Sequence, residues 1–108
     1  MKKFDANYQL LADMYQDDYF PDFLVDKIKS LLQQVIDLLE TGETDLTIIQ
    51  KKFDEAVESI NALQDEFEEN ESEIETVARD SIGISVDYIL HWFGIDIDVE
   101  DAIGARDW

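Results

Sequence analysis

The sequence predicts an all-α protein, a single-domain bundle of five to six helices with one long central acidic-faced helix. Three observations carry that reading. Only one Pro and four Gly occur in 108 residues, so few positions force the backbone out of a helix. Apolar residues recur three and four positions apart over long stretches, the period of an amphipathic helix. The β-branched residues follow that same spacing and do not alternate as they would in a strand.

The elements follow in order. Phe4, Tyr8, Leu11, Ala12 and Tyr15 fall at helical spacing and predict a first helix ending near Gln16, with Asp5 as its cap. Pro21 pre-sets the backbone for a second start, and Asp22 sits near that helix's positive end. The second helix runs to about Thr41, with Gly42 as its C′ residue. Its apolar set (Leu24, Val25, Ile28, Leu31, Leu32, Val35, Ile36, Leu38 and Leu39) covers much of its girth, which predicts the most buried element. Thr44 or Asp45 caps a third helix that reaches about Glu69. Leu46, Ile49, Phe53, Ala56, Val57, Ile60, Leu63 and Phe67 fill an arc of about 120° on it, one face against a core. Ser72 with Glu75 forms a capping-box signature for a fourth helix through Val77, Ala78 and Ile82, which Gly83 is expected to end. Ser85 is expected to cap a fifth, carrying Val86, Ile89, Leu90 and Phe93 to Gly94. Asp98 caps a last turn or two through Ile103. No internal repeat and no domain-separating linker is read.

Composition narrows the function. Lys and Arg number 8 against 27 Asp and Glu, a formal net charge of −19. Such a surface does not grip a nucleic-acid backbone, which needs a cationic face, nor an anionic membrane. The apolar share of 45% argues against disorder despite the charge. A folded monomer of this size should expose roughly 6,200 Å². The chain has no Cys, so thiolate chemistry and disulfides are excluded. No apolar stretch follows the two lysines of MKKFDANYQ as in a signal peptide, and no apolar run is long enough to span a bilayer. The expectation is a cytoplasmic protein.

Three stretches carry a resemblance: LADMYQDDYFPDFLVDKIKSLL (11–32), LQDEFEENESEIETVARDSI (63–82) and VEDAIGARDW (99–108). SEIETVAR and ARDW are the most specific strings. Together they resemble a family of small, acidic, all-helical bacterial proteins of unknown function, over most of the chain. The resemblance implies the architecture and no activity, cofactor or ligand residue.

The sequence carries no complete motif for metal binding, nucleophilic catalysis or phosphate binding. A di-metal carboxylate bundle needs Glu-x-x-His pairs, and the sole histidine, His91, follows Tyr88 at that spacing. Asp96, Asp98 and Glu100 alternate like a calcium loop, but Asp101 stands where the loop needs Gly. Asp87 precedes His91 by one turn, as an orienting group precedes a base, but no nucleophile motif accompanies the pair. The glycines stand singly, so no phosphate-binding loop exists. A helix–turn–helix around Gly83 would read DNA with SVDYILHWF, which offers none of the usual base-reading side chains; an ordinary helical corner is expected there instead. No catalytic residue, metal or cofactor is expected. Arg79 is expected to pair with Glu75, and Arg106 to stack on Trp92 or Trp108.

The acidic face remains. From Asp37 to Asp80 the net charge is −12, with fifteen acids against Lys51, Lys52 and Arg79. Asp54, Glu55, Glu58, Asp65, Glu66 and Glu69 lie opposite the third helix's core face, and Glu71 and Glu73 continue the run. These eight are the candidate partner-binding residues. Three functions are open. The first is a non-enzymatic acidic protein that binds a basic protein partner, as an inhibitor or immunity protein does. The second is a DNA mimic that inhibits a nucleic-acid-binding protein. The third is a small enzyme with no recognisable motif. Against these stands a solvated face that serves only solubility. Aromatic anchors for a partner, if not core, are Tyr15, Tyr19, Phe20, Phe23, Trp92 and Trp108.

Overall fold

Apolar helix periodicity in the middle of the chain decides the architecture, because two long helices must bury facing stripes. The computed structural model describes residues 2–108. It contains α1 (Ala12–Gln16), α2 (Asp22–Glu40), α3 (Leu46–Glu69), α4 (Thr76–Phe93) and α5 (Val99–Ala102). No strand occurs among the described residues. The most extensive packing joins α2 to α3; α1 lies on α4, α5 touches α3 and α4, and α2 also touches α1 and α4.

The core sits among the three long helices. Leu24, Ile28, Leu32, Val35 and Ile36 of α2 meet Ile49, Phe53, Val57, Ile60 and Phe67 of α3, with Ala78, Ile82, Val86 and Ile89 of α4 closing it. The body measures 40 × 28 × 18 Å and exposes 5999 Å², close to the surface expected of a folded monomer.

Caps explain the sharp ends. Asp45 accepts the backbone N–H of Thr47 at 2.9 Å and starts α3. At its end, Ser72 N–H reaches Phe67 C=O and Glu71 N–H reaches Glu68 C=O, a Schellman closure. That closure puts Glu71 at φ 59°. Gly94, at φ 66°, closes α4 the same way, and Asp98 caps α5 through Glu100 N–H at 2.8 Å.

Three expectations are corrected. The first helix is only Ala12–Gln16; residues 4–8 are not helical. Phe4 and Tyr8 instead pack on Tyr88, Trp92 and Phe93 of α4, and Asp5 receives Asn7 N–H and the Tyr88 hydroxyl. Aromatic burial against α4 outweighs the local helical pattern. Second, Gly83 does not end a helix and no corner forms there. The buried residues Ala78, Ile82, Val86 and Ile89 keep their period straight through it, so burial over five turns overrides one weak residue. Third, Ser72 and Ser85 are not caps. Ser72 is buried in the α3–α4 turn, and Ser85 is buried inside α4, where its hydroxyl accepts Leu11 N–H.

Candidate functional site

The acidic surface is assembled on α3. At 100° per residue, Asp54, Glu58, Asp65 and Glu69 fall within an arc of about 60°, and they rise along the axis by roughly 6, 10 and 6 Å. Lys51 shares that strip. The flanks of the helix are occupied. On one side Lys27 of α2 donates to Glu66 at 2.6 Å, and Lys52 pairs with Glu55 at 3.8 Å. On the other, Gln50 donates to Asp54 at 2.9 Å and to Asp101 C=O at 3.0 Å, while Asn61 donates to Ala105 C=O at 3.0 Å. The C-terminal segment is held along that flank.

The eight predicted residues therefore divide. Asp54, Glu55 and Glu66 are engaged by neighbours within the fold. Glu58, Asp65, Glu69, Glu71 and Glu73 are exposed and have no hydrogen-bond or ion-pair partner among the described side chains. They form a ridge along the outer strip of α3 that continues over the α3–α4 turn.

Sequence reasoning missed a convergence at the other end of α3. Asp54 lines a groove of about 510 Å³ together with Asp96, Asp98 and Asp101. Leu46, which is 43% exposed, and Ile97 supply its apolar wall. The signal was present in Gln50, an amide on the α3 flank that can donate where an acid cannot, and that bonds both Asp54 and the Asp101 carbonyl.

Other candidates resolve into ordinary roles. His91 Nδ1 lies 2.9 Å from the Asp87 carbonyl oxygen and 3.3 Å from its carboxylate, on an exposed helix end. Arg79 turns to the Thr76 hydroxyl at 3.2 Å rather than to Glu75. Arg106 pairs with Glu100 at 3.1 Å rather than stacking on a tryptophan. Of the aromatics, Phe20 is buried. Trp92 donates to Lys3 C=O and packs on Phe4, and Trp108 packs against the core. Tyr15 donates to Asp26; burial first, and that carboxylate second, push its hydroxyl well above the usual phenol range. Tyr19 and Phe23 stay exposed, at 43% and 49%. Among the described residues no helix is long and apolar enough to cross a membrane.

A family model for a family of unknown function, DUF5713, matches residues 4–108. The chain belongs to the DUF5713 family. That match takes in all five helices, the ridge and both ends of α3. Comparisons with the curated proteins and with the solved structures give no match. The DUF5713 assignment agrees with the resemblance carried by SEIETVAR and ARDW, strings that lie at the start of α4 and after α5.

Proposed function

We propose that this DUF5713 protein is a cytoplasmic, non-enzymatic interaction protein whose acidic side binds a basic protein partner. One observation carries the reading: the outer strip of α3 and the following turn hold five exposed carboxylates with no hydrogen-bond or ion-pair partner among the described residues, while Glu55 and Glu66 beside that strip are paired. Charges left unpaired on one strip repel each other, which a fold tolerates at a cost of roughly 0.2–0.5 kcal/mol for each pair one turn apart. A cationic partner relieves that repulsion and is steered toward it. The groove at Asp54, Asp96 and Asp101, with Leu46 exposed beside it, adds apolar area where the acids alone would give little affinity.

Duplex mimicry is the weaker reading. From Glu58 to Glu69 the helix rises about 17 Å and carries Glu58, Asp65, Glu68 and Glu69 outside ion pairs, whereas a duplex of that length carries about 10 charges.

The test is affinity capture from host lysate with two baits, the native chain and the triple variant Glu58→Gln, Asp65→Asn, Glu69→Gln. The native bait is expected to retain a basic protein that salt elutes and duplex DNA does not displace, and the triple variant to lose it. Equal retention by both baits, or none by the native chain at low salt, overturns the proposal.

A further inference from the structure

The face of α4 turned toward α5 carries a pattern the acidic ridge does not use. Gly83 stands in the middle of this 18-residue helix, where glycine costs about 1 kcal/mol relative to Ala. Nothing in the fold requires it: a Cβ there would meet no atom within 4 Å, and its backbone has no positive φ. The glycine instead forms the floor of a groove of about 590 Å³ between α4 and α5. Ile84 beside it is 55% exposed, more than any other large apolar side chain described, and Val99 and Ile103 form the opposite wall. Arg79 and Asp87 lie one turn before and one turn after Gly83, on the same i±4 ridge.

We infer that this face is a self-association surface, in which α4 packs antiparallel on α4 of a second copy, crossing at Gly83. Charge order selects that occupant. A cationic partner would face Arg79, and an anionic one Asp87 and Asp80. A surface must carry both signs in reversed order to satisfy the groove, and an antiparallel copy of α4 does so. Two-fold symmetry brings Arg79 of each copy to Asp87 of the other, the isologous arrangement of a C2 dimer. Ridges of i±4 residues are those that interlock in the commonest helix pairing, and a glycine at the crossing lets the backbones approach. Ile84 of each copy then leaves water against the Val99–Ile103 wall of the other. Arg79 is available, since within the fold its guanidinium has only the Thr76 hydroxyl, whereas Arg106 is committed to Glu100. The surface shares no residue with the acidic ridge, so it stands or falls independently of the proposed partner.

Sedimentation equilibrium at about 0.15 M salt, where charges beyond roughly 8 Å are screened, tests this over about 1 μM to 1 mM protein. The native chain is expected to dimerise. Arg79→Asp should weaken the dimer at least about tenfold by setting like charges opposite each other. The double reversal Arg79→Asp, Asp87→Arg should restore it, and Gly83→Gln should weaken it with the far-UV circular dichroism of each variant unchanged. If Arg79→Asp does not fold, Asp87→Arg is the single reversal compared with the double. A native chain that stays monomeric throughout, or a double reversal no tighter than the single, overturns the inference.

Discussion

The Ser85 hydroxyl accepts the backbone N–H of Leu11 at 2.9 Å, 74 residues away and fully buried. Leu11 stands at φ 57° with its side chain wholly inside, a left-handed conformation that non-glycine residues adopt only at a cost. This one bond ties the N-terminal segment to the middle of α4. Ser85→Ala leaves a buried N–H without a partner and should lower stability by about 1–3 kcal/mol. Urea unfolding followed by tryptophan fluorescence measures it; an unchanged midpoint would mean that another group satisfies Leu11.

Glu71 presents the opposite case. It holds the left-handed position of the Schellman closure after α3, where glycine is the ordinary occupant. Glu71→Gly should raise stability by about 1 kcal/mol, and it also removes one charge from the ridge. The same unfolding experiment reads the gain, and a loss of stability would contradict the strain argument.

Asp5 links acid stability to the aromatic cluster. The Tyr88 hydroxyl donates to it at 2.6 Å; that bond first, and Asn7 N–H second, hold its carboxyl below the usual carboxylate range. A group lowered in the folded state stabilises the fold above its unfolded value, and that contribution is lost as pH falls through the folded value. Tyr88→Phe should therefore bring the Asp5 titration, followed by carboxyl-carbon NMR, back toward about 3.9. An unmoved titration would assign the shift to the Asn7 amide alone.

Repulsion along the ridge has its own signature. Asp54 with Glu58 and Asp65 with Glu69 are like-charge neighbours one turn apart. Glu58→Gln with Glu69→Gln relieves both pairs and should raise stability by about 0.4–1 kcal/mol at low salt, with a smaller gain at 1 M salt, where screening extends only about 3 Å. Thermal unfolding at two ionic strengths checks both the sign and the salt dependence.

Much of the fold was legible in the residues. The starts and ends of α2 and α3, the Gly94 closure and the Asp98 cap follow from local chemistry, because Pro21, Asp45, Gly94 and Asp98 act on their own backbone neighbours. The misreadings lie where a distant segment competes. Phe4 and Tyr8 keep helical spacing yet pack on α4, and Ser85 keeps a cap's chemistry yet serves Leu11. Gly83 reads as a stop only until the buried period on either side of it is counted as one helix. For the acidic surface, periodicity placed Glu58, Asp65 and Glu69 together on the exposed strip. It did not show that Lys27 and Lys52 neutralise Glu66 and Glu55, nor that Asp96 and Asp101 join Asp54, since those contacts arise from tertiary packing.

The most direct measurement is the near-surface potential, read residue by residue from amide NMR relaxation with a cationic and an anionic paramagnetic cosolute. The account predicts the strongest excess of the cationic probe along residues 54–73, with a clearly weaker excess at residues 79–87 of α4. An even excess over the whole surface would contradict it and leave the anions with no preferred side for a basic partner.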